Sequence, residues 1–174
     1  MNTFRNLIMV LIVLILATGC ESSKTKVIRL DLIGNENADF LFWDQLANEV
    51  VISNEDVLYA LLEIKNGEPP IGDWVAIQSA ARDEGILYCN ELISDEAATW
   101  GTVAYAVVEI LDIEGGFMMR RFGPNPRWCL NELYYLGLTP KRTQNEAIRG
   151  LEFATVVDML DSQRSQGDES PIEL

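Results

Sequence analysis

YALLEI at residues 59–64 returns as YAVVEI at 105–110, and ATVVDML at 154–160 resembles YAVVEIL at 105–111 in register. That register sets Ile148-Arg149-Gly150 opposite Thr99-Trp100-Gly101. The segments between the copies also answer one another. DWVAIQSAARDEGIL (73–87) and RWCLNELYYLGLTP (127–140) each follow a proline-containing breaker, carry Trp74 or Trp128 near the start and finish Gly-aliphatic. A unit of helix, Pro/Gly loop and second helix, repeated about every 50 residues, cannot bury its apolar face alone and must stack on its neighbours. The expected fold is therefore mainly α, a small domain of repeated helix–loop–helix units.

Local signals agree with that reading. Ser53 or Asn54 can cap a helix carrying Val57, Leu58, Leu61, Leu62 and Lys65 at helical spacing, and Asn66-Gly67 stops it. Asp73 can cap the next helix, with Trp74, Ile77, Ala80 and Ala81 on one face and Gly85 as its stop. Upstream, Val27 to Ile33 reads as a short strand or extended lead-in. Phe40 to Leu46 is an apolar cluster that starts a short helix or packs over a neighbour. Trp43, Tyr134 and Tyr135 are expected in the core.

The amino terminus places the chain in a compartment. Arg5 precedes an unbroken apolar run from Leu7 to Ala17. That run is too short for a helix across the membrane, which needs about 20 residues, but it suits the apolar region of a secretory signal. Leu16-Ala17-Thr18-Gly19-Cys20 resembles the lipobox of bacterial lipoproteins. The resemblance implies cleavage before Cys20 and acylation of that residue, so the membrane is the first expected partner, through the acyl chains. Glu21 follows, not the Asp that resembles an inner-membrane retention signal, which points to the outer membrane facing the periplasm or the cell surface. The expected organisation is a signal peptide (1–19), lipidated cysteine and tether (20–26), lead-in (27–52), helical repeat domain (53–163) and disordered acidic tail (164–174).

In an oxidising compartment the remaining pair, Cys89 and Cys129, is expected to form a disulfide. Closing a loop of about 40 residues would stabilise the fold by roughly 4 kcal/mol.

The repeat units resemble S-layer homology domains. Trp74, Ala76, Ile77, Gly85 and Ile86 match that family's first element, and Ile148, Arg149, Gly150, Glu152, Phe153 and Ala154 match its second. The resemblance implies a helical fold and contact with cell-wall polysaccharide through a Thr-Arg-Ala-Glu box. Only Arg149 near Glu152 resembles that box here; the middle copy reads Thr99-Trp100-Gly101-Thr102, with neither Arg nor Glu.

Charge and composition remove several function classes. A net charge of −14 argues against a nucleic-acid partner, which needs a basic face. With no histidine in the chain, Ser-His-Asp and Cys-His nucleophile systems and His-ligated metals are excluded. The NENAD stretch at 35–39 resembles a calcium loop but has Phe40 where Gly is needed and Leu46 where Glu is needed. No cofactor or metal is expected. Glu63, Glu109 and Asp158 fall at matching repeat positions, but on exposed helix faces rather than as a catalytic pair.

The sharpest local feature is GGFMMRRFGPNPRW at 115–128, read as a stiff exposed loop. It sets Arg120, Arg121 and Arg127 beside Phe117, Phe122 and Trp128. Guanidinium forks bind carboxylate or phosphate, and aromatic faces stack on sugars. The expectation is a non-enzymatic, lipid-anchored envelope protein binding a wall polymer or an envelope protein. The alternatives are an assembly lipoprotein whose helical groove captures a protein segment and, least favoured, a carboxylate-dependent wall hydrolase.

Overall fold

Helix starts in this chain are written in its polar residues. The computed structural model describes residues 24–31, 38–89 and 91–167. Ser53 is an extended N-cap whose Oγ accepts the Asp56 N–H at 3.0 Å, and Gly67, left-handed at φ 77°, ends that helix. Asp73 caps Ala76 in the same way, Thr99 caps Thr102, and Asn125 accepts the N–H groups of Arg127 and Trp128 with Pro126 in the first turn. The resulting order is α1 (Ile28–Asp31), α2 (Ala38–Asn48), α3 (Asn54–Asn66), α4 (Trp74–Asp83), α5 (Trp100–Ile110), α6 (Phe117–Phe122), α7 (Pro126–Tyr135) and α8 (Gly150–Gly167). The chain is mainly helical; the only ladder elements among the described residues are isolated bridges.

The helices pack as three pairs: α3 with α4, α5 with α7, and α8 with α2. Each pair buries the apolar stripe of the helices the sequence repeats, with Leu58, Leu61, Val107, Leu133, Phe153 and Leu160 in one continuous core. Trp100 lies in that core at 2% exposure.

The three long helices α3, α5 and α8 enter through a closed ring of backbone hydrogen bonds. Ile52 donates its N–H to the Ile148 carbonyl (3.4 Å), Ile148 to Ala98 (3.0 Å), and Ala98 to Ile52 (2.9 Å). One step further into each helix, Asn54 donates to the Glu96 carbonyl, Trp100 to Glu146 and Gly150 to Glu49, at 2.9, 2.9 and 3.0 Å. These bonds satisfy N–H groups that a helix start leaves unpaired. The ring aligns Ile148 with Ala98 and Arg149 with Thr99. The sequence register, which set Ile148 against Thr99, is off by one residue.

Several boundaries differ from the sequence reading. Residues 27–52 are no lead-in: α1 is helical rather than a strand, and α2 is the partner that covers α8. Of the expected tether at 20–26, Lys24 and Thr25 are held against the domain: Lys24 pairs with Asp95 at 3.0 Å and Thr25 donates its N–H to the Asp95 carbonyl, while 20–23 lie outside the described residues. The stretch 115–128 is not one loop; α6 and the first turn of α7 lie inside it. Helix α8 runs through Gly167, past the expected start of the tail at 164. Tyr134 and Tyr135 are exposed, the latter at 80%, whereas Trp43 packs against the core as expected. Cys20 and the rest of the signal region lie outside the described residues. No helix among the described residues is long and apolar enough to cross a membrane.

The Cys89–Cys129 disulfide is a further correction: both thiols are free. Cys129 is fully buried on α7, where desolvation pushes its thiol up to about 12, while Cys89 sits half-buried in a loop with its thiol donating to the Glu91 carbonyl at 3.7 Å. A thiol that stays protonated does not attack alkylating reagents. Iodoacetamide at pH 8 should therefore label Cys89 and spare Cys129 in the native chain 21–174, with both labelled in denaturant. Mass spectrometry that finds no free thiol after denaturation without reductant would restore the disulfide.

Candidate functional site

The first turns of α5 and α7 lie side by side, and a groove of about 460 Å³ opens between them. Thr99 and Thr102 form its α5 wall, and Arg127 and Trp128 its α7 wall. The loop at 87–89 closes one end with Tyr88 and Cys89; Gln144 and Asn145 close the other. Gly101 lets this approach happen. A Cβ there would stand 2.7 Å from the Gln144 carbonyl oxygen and 3.0 Å from Cβ of Pro126, and its N–H donates to that same carbonyl at 2.9 Å.

The backbone N–H groups at both helix starts are already taken. Trp100 and Gly101 donate to the 144–146 loop, Thr102 to Thr99 Oγ1, and Arg127 and Trp128 to Asn125 Oδ1. A ligand in the groove must therefore be held by side chains. Those side chains are hydroxyls, amides, two aromatic rings and one guanidinium, with no carboxylate among the lining residues. This acid-free lining sits on a chain of net charge −14. Arg127 is exposed and forms no ion pair with any described carboxylate.

Arg127 and Gln144 also border a second hollow of about 310 Å³ with Leu130, Asn131, Arg142 and Thr143. Arg142 bridges Glu146, at 3.0 Å, and Glu152. Its buried Nε has no hydrogen-bond partner among the described residues.

The corresponding starts of the other two long helices are covered. At α3, the main-chain N–H groups of Ile28 and Arg29 both donate to the Asp56 carboxylate at 3.0 Å, and the Arg29 guanidinium pairs with Glu55 at 2.8 Å, a pair only 15% and 3% exposed. At α8, the carbonyl of Leu46 presses on Gly150. At the α5 start the side chains of Thr99 and Thr102 instead face a groove with a cationic and aromatic wall.

Of the residues singled out from the sequence, Arg127 and Trp128 come together in the groove. Arg120, Arg121 and Phe122 do not line it; they belong to α6, where the Arg121 guanidinium lies 5.7 Å from the Phe122 ring and Phe122 stacks at a tilt on Trp128, centroids 5.7 Å apart. Cys89 is a groove residue rather than half of a disulfide. Arg149 is exposed, its N–H donating to Glu152, and Glu152 is held by Arg142, so these two residues serve as a helix cap. Tyr88, Thr99, Thr102, Gln144 and Asn145 were not found from sequence as ligand contacts. Thr99 and Thr102 enter the sequence reading only as the counterpart of the charged box, and Tyr88, Gln144 and Asn145 carry no signal there.

The structure also bears on the carboxylates at matching repeat positions. Glu109 is half-buried, and desolvation raises its carboxyl above the usual range despite Lys65 nearby. It borders a separate hollow with Asp112 and Glu114, away from Arg127. No group of three or more metal-ligating side chains occurs among the described residues. Comparison of the chain with protein-family models, with curated proteins and with solved structures gives no match.

Proposed function

We propose that the chain is a non-enzymatic, lipid-anchored envelope protein whose groove between α5 and α7 holds a stretch of cell-wall polymer. The observation that carries this reading is the acid-free lining, with Arg127 as its one fixed cation and Trp128 and Tyr88 as flat apolar faces. Sugar rings offer apolar faces to aromatic side chains and hydroxyls to amides and threonines, while uronate, phosphate or other acidic substituents suit a guanidinium. Nothing in the lining supplies the paired carboxylates of a glycoside hydrolase, which supports binding without cleavage. The lipobox-like Leu16 to Cys20 supports a membrane-held amino terminus. The sequence resemblance of Trp74, Ala76, Ile77, Gly85 and Ile86 to S-layer homology repeats favours a wall polymer as ligand, although only Arg149 and Glu152 match that family's charged box and they serve here as a cap.

The test is sedimentation of chain 21–174 with purified wall sacculi, because every contact described above lies within residues 24–167. The chain should pellet at low salt and be released as ionic strength rises. Arg127→Ala, at an exposed position, should weaken pelleting by about tenfold, the size of one lost charge-assisted hydrogen bond. Equal pelleting by the variant, or none by the wild type, would defeat the reading.

A further inference from the structure

Helix α6 carries an exposed surface that the groove does not use. Its sequence, FMMRRF, sends one residue, Met119, into the core. Phe117 is 77% exposed and Phe122 64%, with Met118, Arg120 and Arg121 exposed beside them. Tyr135 of α7 extends the patch across a shallow hollow of about 200 Å³ shared with Phe117 and Met118. Neither arginine forms an ion pair among the described residues; Arg120 reaches only the Gly115 carbonyl, at 3.0 Å, and Arg121 only the Phe122 ring. Glycines on both sides, Gly115 at φ 66° and Gly123 at φ 81°, turn the chain into and out of the helix.

We propose that α6 is an interfacial membrane contact: Phe117, Met118 and Phe122 enter the boundary between headgroups and acyl chains of an anionic phospholipid bilayer, and Arg120 and Arg121 pair with its phosphates. Aromatic and methionine side chains flanked by arginines on a short helix are suited to that boundary. Charge favours this occupant over a second copy of the chain. A two-fold dimer through α6 would set Arg120 and Arg121 against their own copies. An anionic bilayer complements the arginines and repels the rest of a chain of net charge −14, so the contact also fixes orientation. Six residues give a contact of modest strength, measurable by itself at high lipid concentration, and the proposed acyl anchor would reinforce it by holding the chain at the surface. The inference shares the envelope location with the proposed function but not the groove, so either can fail alone.

Chain 21–174 should co-sediment with vesicles of phosphatidylglycerol and phosphatidylcholine, and not with phosphatidylcholine alone. Arg120→Glu with Arg121→Glu should lower the partition coefficient at least about 30-fold. Phe117→Ser with Met118→Ser, both at exposed positions outside the groove, should also abolish binding while leaving Tm and wall pelleting unchanged. Retained binding by the Phe117→Ser, Met118→Ser variant would reduce the contact to surface charge and overturn the insertion. Absent vesicle binding would overturn the proposal, and so would a wild-type dimer in sedimentation velocity that the same substitutions dissolve.

Discussion

Gly150→Ala should destabilise the fold by at least about 3 kcal/mol, although alanine is the better helix former. At an ordinary helix position this change gains up to about 1 kcal/mol. Here a Cβ would overlap the Leu46 carbonyl oxygen and stand 3.0 Å from the carbonyl oxygen of Glu49, which accepts the Gly150 N–H. Both obstacles are backbone atoms at the end of α2, so relief requires α2 to move off α8. That movement would open one of the three helix pairs and strain the ring at Ile148. In urea the midpoint should fall with little change in slope, and Tm should drop by about 10 °C. A variant as stable as wild type would show that α2 does not cover α8 as described.

Asp56→Ala should be comparably damaging, by roughly 3 kcal/mol or more, for an electrostatic rather than a steric reason. The Asp56 carboxylate accepts the N–H groups of Ile28 and Arg29 at 3.0 Å and the Ser53 hydroxyl at 2.6 Å, all within or beside the core. Removing it leaves two main-chain donors without partners and detaches α1, taking the Arg29–Glu55 pair with it. Hydrogen exchange should report this as lost protection at residues 28 and 29. The pH dependence has a definite sign. Burial raises the Asp56 carboxyl above its ordinary 3.8, against the lowering by Ser53, Arg29 and Ile28. The folded state thus holds that proton more tightly than the unfolded chain does. The resulting stability is fully present below 3.8 and is lost as pH rises through the raised value. The stability gap between wild type and Asp56→Ala should therefore be wider in acid and narrow as pH rises. A gap that widens with pH would mean that the hydrogen bonds outweigh burial.

Much of the helical architecture could be read from sequence because its signals are local. Ser53 and Asp73 announce helix starts by side-chain chemistry within three residues, and Gly67 and Gly85 announce stops by a left-handed turn. The ring of Ile52, Ala98 and Ile148 was not legible, since its bonds join residues dozens of positions apart and use main-chain atoms that any residue offers. The same distance hid α2. Its apolar cluster was visible, but nothing near Trp43 says that its partner is α8 at the far end of the chain. Residues 115–128 misled by composition. Glycines and prolines suggested a loop, but they flank α6 rather than interrupt it, and the mixture of Arg and Phe was read as one site when the backbone divides it into two. Tyr134 and Tyr135 were assigned to the core by residue type, yet they lie at the end of α7, past the turn that faces α5.

The groove between α5 and α7 is the centre of the functional account, and amide chemical shifts address it most directly. Isotope-labelled chain 21–174 would be titrated with soluble fragments released from purified wall polymer. Perturbations should concentrate on Tyr88, Thr99, Thr102, Arg127, Gln144 and Asn145 and on the Trp128 indole, and in Arg127→Ala they should need about tenfold more polymer to develop. A spectrum that stays unchanged at saturating polymer would contradict the account, as would shifts confined to α6 or to residues 24–31.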